Sequence, residues 1–229
     1  MAFGAFKVLD RVSLDVFGGE IVGILGPNGA GKTTFMNLLT GAYRPTTGRV
    51  HVLGEDVTHL ATADRCRRGI ARTHQVPRPF GGMTVFENVL VAARNGRGDP
   101  SGDPVGLAWQ VLEHTGLAGV ANRKAGSLGL LDRKRLELSR ALATGPRVVL
   151  LDEIGGGLTD AEADRLVALI RDIQRDGVTI VWIEHIMRLL TECCTRMICM
   201  AGGAVIADGL PGDVIDAPAV RTAYFGAAA

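Results

Sequence analysis

The 229-residue sequence predicts an α/β domain, with a mostly parallel sheet covered by helices on both faces and an all-helical insert in the middle third. Three observations carry this. Continuous apolar runs of strand length occur at residues 20–25, 147–151 and 178–183, as expected for strands buried on both faces. Amphipathic helical segments alternate with them, as at 160–175, where Leu166, Ile170 and Ile173 share one face. Between residues 76 and 145 the longer periodic segments read as helix.

Taken in order, Val12, Leu14 and Val16 alternate with polar neighbours and predict a first strand, which Gly18 and Gly19 turn into the buried strand 20–25. A helix follows at 34–40 and stops at Gly41. Residues 48–53 read as a strand, 61–68 as a polar helix and 70–73 as a short strand. The texture then changes: residues 76–82 hold two prolines and two glycines. Helices are expected at 84–94 and 105–115, separated by a Gly/Asp/Pro loop, and at 132–143. After Gly145 and Pro146 come strand 147–151, helix 160–175 and 178–183 as the last apolar strand. No repeat of 20 to 50 residues is visible. The expected organisation is one domain over 1–229, in which 1–75 and 146–229 form the sheet core and 76–145 a helical subdomain.

Composition narrows the function. Hydrophobic residues at 47% and charged residues at 21% describe a chain with a real core and no disordered tract. The apolar runs fall far below the roughly 18 residues a spanning helix needs, and the N-terminus lacks the apolar stretch of a signal peptide, so a cytoplasmic location is expected. A net charge of +1 argues against nucleic acid as a partner while leaving small anionic ligands open. Cys66, Cys193, Cys194 and Cys199 have neither zinc-site nor redox spacing and read as buried, reduced packing residues. The histidines at 51, 59, 74, 114 and 185 are scattered, which indicates no transition-metal site.

The chemistry concentrates at residues 26–34, Gly26, Pro27, Asn28, Gly29, Ala30, Gly31, Lys32, Thr33 and Thr34, a complete G-x-x-x-x-G-K-[ST] pattern between a strand and a helix. Glycines let successive backbone N–H groups curl around phosphate oxygens, and the helix N-terminus adds the positive end of its dipole. In this motif Lys32 reaches the β- and γ-phosphates of a nucleotide such as ATP, and the Thr33 hydroxyl sits on Mg²⁺. The strand 148–151 ends in Asp152 and Glu153, whose side chains alternate: Asp152 suits the Mg²⁺ shell, directly or through water, and Glu153 suits the attacking water as general base. Gln75 follows the strand 70–73 and His185 the strand 178–183, so four separated strand ends deliver polar groups toward one sheet edge.

With these residues the chain resembles the ATP-binding-cassette (ABC) ATPases over nearly its whole length. The resemblance implies a P-loop NTPase fold, with a RecA-like core, an N-terminal antiparallel β part and the helical insert. It also implies that Gln75 senses Mg²⁺ and the attacking water and that His185 is the switch histidine. Residues 41–48 (Gly-Ala-Tyr-Arg-Pro-Thr-Thr-Gly), 71–75 (Ala-Arg-Thr-His-Gln), 83–90 (Met-Thr-Val-Phe-Glu-Asn-Val-Leu) and 223–226 (Ala-Tyr-Phe-Gly) look like the ATPase subunits of branched-chain amino acid importers. That branch implies an ATP-hydrolysing subunit peripheral to the inner face of the cell membrane. It works as a dimer of ATPases beneath two transmembrane permease subunits fed by an external solute-binding protein, with amino acids or amides as solutes.

Two positions depart from the family. The signature L-S-G-G-Q falls on residues 128–132, Leu-Gly-Leu-Leu-Asp, which lack the serine and both glycines that grip the partner's γ-phosphate. This favours a heterodimer with a second ABC ATPase that carries an intact signature. The family's adenine-stacking aromatic falls on Phe3, with Phe6 as fallback. Two other readings remain at this point: a soluble ABC ATPase acting on nucleic acid or ribosomes, and a regulatory half-site subunit that binds ATP.

Overall fold

In the computed structural model, which describes residues 1–97 and 102–225, a six-stranded sheet runs through the described residues. Most of the Gly/Asp/Pro loop and the last glycine of the 223–226 ending lie outside them. The N-terminal third contributes β1 (Ala2–Phe3), β2 (Phe6–Lys7), β3 (Ile21–Leu25), α1 (Lys32–Thr40), β4 (His51–Val52), β5 (Glu55–Asp56), α2 (Thr62–Arg67) and β6 (Ile70–Arg72). The middle holds α3 (Val85–Asn95), α4 (Pro104–His114) and α5 (Leu130–Ala143). The remainder supplies β7 (Val148–Asp152), α6 (Asp160–Arg175), β8 (Thr179–Ile183), α7 (Met187–Cys193), β9 (Arg196–Ala201), β10 (Ala204–Gly209), α8 (Pro211–Asp216) and α9 (Pro218–Phe225). Spatial order is β10-β9-β3-β8-β7-β6, parallel except for the antiparallel β9–β10 pair.

Local chemistry explains three of the helix starts. Thr84 with Glu87 and Thr159 with Glu162 form reciprocal capping boxes at α3 and α6, and Asp103 caps α4 ahead of Pro104. One apolar cluster packs α6, with Leu166, Ile170 and Ile173, against the sheet residues Val149, Leu151 and Trp182. A second packs Phe35, Met36 and Leu38 of α1 on the other side of the strands. A third, including Val85, Val89, Leu112 and Leu136, draws its residues from between 85 and 143.

Four expectations are corrected. Residues 12–16 form no strand: Val12, Leu14 and Val16 pack on the core, but no neighbouring backbone completes a ladder. The antiparallel part consists instead of two short pairs, β1–β2 and β4–β5, so 48–53 shrinks to two residues. The strand at 178–183 is also not the last buried one. β9 follows, with Met197, Ile198, Cys199 and Met200 fully buried against β3. Its cysteine and methionines lack the β-branched character that marks a strand in sequence. Finally Cys66 is only partly buried, whereas burial pushes the thiols of Cys193 and Cys199 up to about 11.

The end of α1 is held by a residue with no motif around it. Arg65 is 1% exposed, and its Nη1 donates to the carbonyls of Leu38 (2.5 Å) and Leu39 (2.9 Å), its Nη2 to that of Thr58 (2.9 Å). A cation on the last carbonyls of a helix satisfies them and opposes the negative end of the dipole. Gly41, at φ 78°, lets the chain turn under this side chain: a Cβ there would stand 2.7 Å from Arg65 Nε. Arg65→Met takes a charged donor from three carbonyls, of which that of Leu38 keeps the Gly41 N–H, and is expected to cost about 3 kcal/mol, read as a lower urea midpoint. An unchanged midpoint would show that water replaces the guanidinium without loss.

Candidate functional site

The carboxyl ends of β3, β6, β7 and β8 meet at one edge of the sheet, because parallel strands paired in register end together there. β3 runs into the glycine-rich loop. Gly26 is buried, and a Cβ on it would stand 2.2 Å from the carbonyl oxygen of Met200 on β9. Gly31, the N-cap of α1 at φ 97°, would drive a Cβ to 2.6 Å from Leu9 Cδ2. Both positions exclude any side chain. Asn28 and Gly29 face solvent between them, and Ala30 and Lys32 are buried. Pro27 and Ala30 close a turn through Ala30 N to Pro27 O, 3.2 Å.

Lys32 is the odd group in this loop. Its ammonium, on a residue 6% exposed, donates to the carbonyls of Gly26 (2.5 Å) and Pro27 (3.1 Å), and no carboxylate among the described residues comes within 4.0 Å. Burial pushes its pKa below the usual lysine range, opposed by the charges of Glu153, Cys199 and Asp152. Thr33 is exposed and Thr34 partly so, both on the first turn of α1.

Gln75, Glu153 and His185 come together. Gln75 Nε2 donates to Glu153 Oε2, and His185 Nε2 contacts Glu153 Oε1. Glu153 stands at φ 49°, a left-handed conformation that non-glycine residues rarely adopt, fixed by its N–H bond to the Ile183 carbonyl at 2.8 Å. Asp152, one residue earlier, is 7% exposed and pairs with Arg72 at 2.6 Å. Phe3 lies apart from this group in the described contacts. Its ring packs edge-on against Tyr43 with centroids 5.3 Å apart, and Phe6 is 72% exposed. Residues 128–132 are not an open loop: Gly129 is the N-cap of α5, whose first residues are Leu130, Leu131 and Asp132. Gly129 offers no side-chain cap, so the amides of that first turn stay unsatisfied by the helix.

Four residues went unnoticed in the sequence. Glu184 is 2% exposed and accepts from the N–H groups of Gly155 (2.5 Å) and His185 (2.9 Å), which ties the turn after Glu153 to the turn carrying His185. Its position directly after an apolar strand was the available signal. Lys134 on α5 is buried, its pKa lowered by desolvation and partly restored by Glu184 and Glu153. The Tyr224 hydroxyl of α9 accepts the Gly26 N–H at 2.7 Å, a contact between residues 198 apart that no local pattern reveals. Arg72 was visible only as a charge within an apolar strand.

Comparison with known proteins agrees with this geometry. The family model described as ABC transporter matches residues 9–155. BraF of Pseudomonas aeruginosa, a high-affinity branched-chain amino acid transport ATP-binding protein, is 37% identical over 245 residues, covering 100% of this chain and 95% of BraF. The solved nucleotide-free ATP-binding cassette from an ABC transporter superposes with a TM-score of 0.90 at 32% identity, covering 99% of this chain and 96% of the other. A dimeric ATP-binding cassette in a post-hydrolysis state, bound to ADP and Pi, gives 0.78 at 27% identity over 89% and 90% of the two chains.

Glu184→Ala is expected to cost about 3 kcal/mol, because it frees two N–H groups from a charged acceptor and leaves buried Lys134 less compensated. Urea unfolding measures this. A loss below about 1 kcal/mol would mean that ordered water takes over both amides.

Proposed function

The chain belongs to the ABC transporter family, and from that premise we propose that it is the ATP-hydrolysing subunit of an importer for branched-chain amino acids or related amino acids and amides. The convergence of Gln75 and His185 on Glu153, at the sheet edge that also carries Lys32, carries the reading. A buried ammonium satisfied only by carbonyls, at the positive end of a helix, fits a phosphate group. Among the described residues no cluster of three or more His, Cys, Asp or Glu could hold a metal. The Thr33 hydroxyl, Asp152 and Gln75 would hold a Mg²⁺ together with the phosphates, which fits the usual Mg²⁺ preference for oxygen ligands from few side chains. Bound there, Mg²⁺ would offset the charge developing on the phosphates.

The chain's own residues then divide the work. Lys32 and the loop amides of Asn28, Gly29 and Gly31 to Thr34 hold the phosphates. Phe3, with its ring half open to solvent beside Tyr43, offers a face to the adenine. Glu153 takes the proton of the attacking water as general base. Gln75 Nε2 donates to one of its oxygens and His185 Nε2 contacts the other. The γ-phosphate offers those donors a new acceptor, so the base is freed when nucleotide is in place.

Two surfaces connect this chemistry to partners. A cleft of about 490 Å³, lined among others by Arg72, His74, Glu137 and Arg140, opens near the Gln75 segment. Phe80 stacks on Arg140 at 5.0 Å and is 46% exposed, and Val76 is 66% exposed. This apolar, half-open surface suits a short cytoplasmic helix of a permease subunit, two of which would sit above an ATPase dimer and receive solute from an external binding protein. No helix among the described residues is long and apolar enough to cross a membrane. The chain is therefore proposed to ride on the inner face of the cell membrane through its permease contacts. Nucleic acid has no place in this assembly. Leu130 and Leu131 at the start of α5 replace the phosphate-gripping groups of the signature, so a second ABC ATPase with an intact signature is the preferred partner.

Glu153→Gln should keep nucleotide affinity and lower turnover at least about 100-fold, measured on the chain assembled with its partner, while the isolated chain hydrolyses ATP slowly. Near-normal turnover in the variant removes Glu153 from the base role, and fast cooperative turnover by the isolated chain removes the need for a different partner. Phe80→Asp should leave nucleotide affinity unchanged and abolish copurification with the permease subunits. A complex that assembles and transports normally with Asp at this position places the docking surface elsewhere.

A further inference from the structure

One cation at the nucleotide edge has no part in the roles assigned above. Arg72 ends β6, three residues ahead of Gln75, with its side chain 15% exposed. Nη2 donates to Asp152 Oδ2 at 2.6 Å and Nη1 to Asn37 Oδ1 at 2.5 Å, while Nε is buried without a partner. The guanidinium is thus a strut between β6, the Asp152 end of β7, and α1, the helix that the phosphate loop opens. Among the described residues no other side chain donates to the Asp152 carboxylate, and Lys32 is turned away onto the carbonyls of Gly26 and Pro27.

The Asp152 carboxylate is 7% exposed, and among the described residues Arg72 is the cation in contact with it. We propose that Arg72 is the resident counter-ion of Asp152 and competes with the nucleotide-bound divalent metal for that carboxylate, holding metal affinity down so that the metal leaves with the product. The proposal rests on the reading of Asp152 as the metal-facing carboxylate. Without nucleotide, Arg72 makes the buried acid tolerable. With the metal bound, a dication and a guanidinium share one carboxylate in a partly dry site, and like charges there repel far more than in water. Removing the arginine charge therefore tightens metal binding, since the metal gains sole use of Asp152 and loses a repulsive neighbour. Lysine keeps the charge but cannot span Asn37 and Asp152 with one planar fork.

The test titrates Mn²⁺ into the protein–ADP complex and reads free Mn²⁺ by electron paramagnetic resonance, for the wild type, Arg72→Gln, Arg72→Lys and Asp152→Asn. Arg72→Gln should bind Mn²⁺ at least about tenfold more tightly, with ADP affinity in EDTA unchanged and a lower melting temperature without ligand. Arg72→Lys should stay within about threefold of wild type, and Asp152→Asn should bind Mn²⁺ at least about tenfold more weakly. Unchanged or weaker Mn²⁺ binding in Arg72→Gln, with Asp152→Asn weakened as expected, overturns the competition and leaves the metal reading standing. Unchanged binding in Asp152→Asn removes Asp152 from the metal site itself. Should Arg72→Gln fail to fold, the wild-type chain decides. The Arg72 Nε–H resonance, assigned by its loss in Arg72→Lys, should move when Mg²⁺ is added to the ADP complex, and a resonance that stays in place overturns the proposal.

Discussion

The nucleotide edge depends on how α1 is charged at its two ends. Its N-terminus carries the positive end of the helix dipole and, one residue in, the buried Lys32 ammonium, held only by carbonyl oxygens. Its C-terminus carries Arg65, buried under the last carbonyls. The first arrangement leaves positive potential uncompensated and open to an anion; the second removes the negative potential that would otherwise face the core. Gly26 and Gly31 make the first possible by letting the backbone pass within contact of Met200 and Leu9, and Gly41 makes the second possible by turning the chain beneath Arg65.

Three acids crowd the same edge, and each is answered by a different group. Asp152 takes the Arg72 guanidinium, Glu153 takes Gln75 and His185, and Glu184 takes two backbone N–H groups with Lys134 nearby. Separate partners keep like charges from sharing one site. The left-handed backbone at Glu153 is what separates it from Asp152, sending the two carboxylates to opposite neighbours. Because the partners of Glu153 come from the ends of β6 and β8, any movement of either segment changes the surroundings of Glu153 directly.

The start of α5 is the basis for proposing a non-identical partner. Leu131 is buried and Leu130 lies against the Gly157 turn, where a Cβ would stand 3.2 Å from Leu130 Cδ2. Apolar bulk fills the position where the family pattern has glycine, and Asp132, which pairs with Arg135 at 3.7 Å, adds a negative charge. What remains for a facing phosphate is the uncapped first turn of the helix, a weaker donor set than one that includes a serine hydroxyl.

The phosphate loop was legible because its information is local: nine contiguous residues specify a turn, a set of amides and a helix start, and strand-length apolar runs on either side of the insert fixed the fold class. The helices α3 and α6 were legible as periodic segments, and the structure closes their N-termini with capping boxes spanning four residues. The tertiary structure decided everything that depends on strand register. The meeting of Gln75, Glu153 and His185, the Arg72–Asp152 pair 80 residues apart and the Tyr224 hydroxyl on Gly26 are set by which strands lie side by side, a choice that no short window of sequence contains. The same holds for β9, a strand recognised by burial between neighbours rather than by composition, and for residues 12–16, whose alternation was right but whose backbone finds no partner strand. Periodicity reports which face of a segment is buried; only packing reports what lies against it.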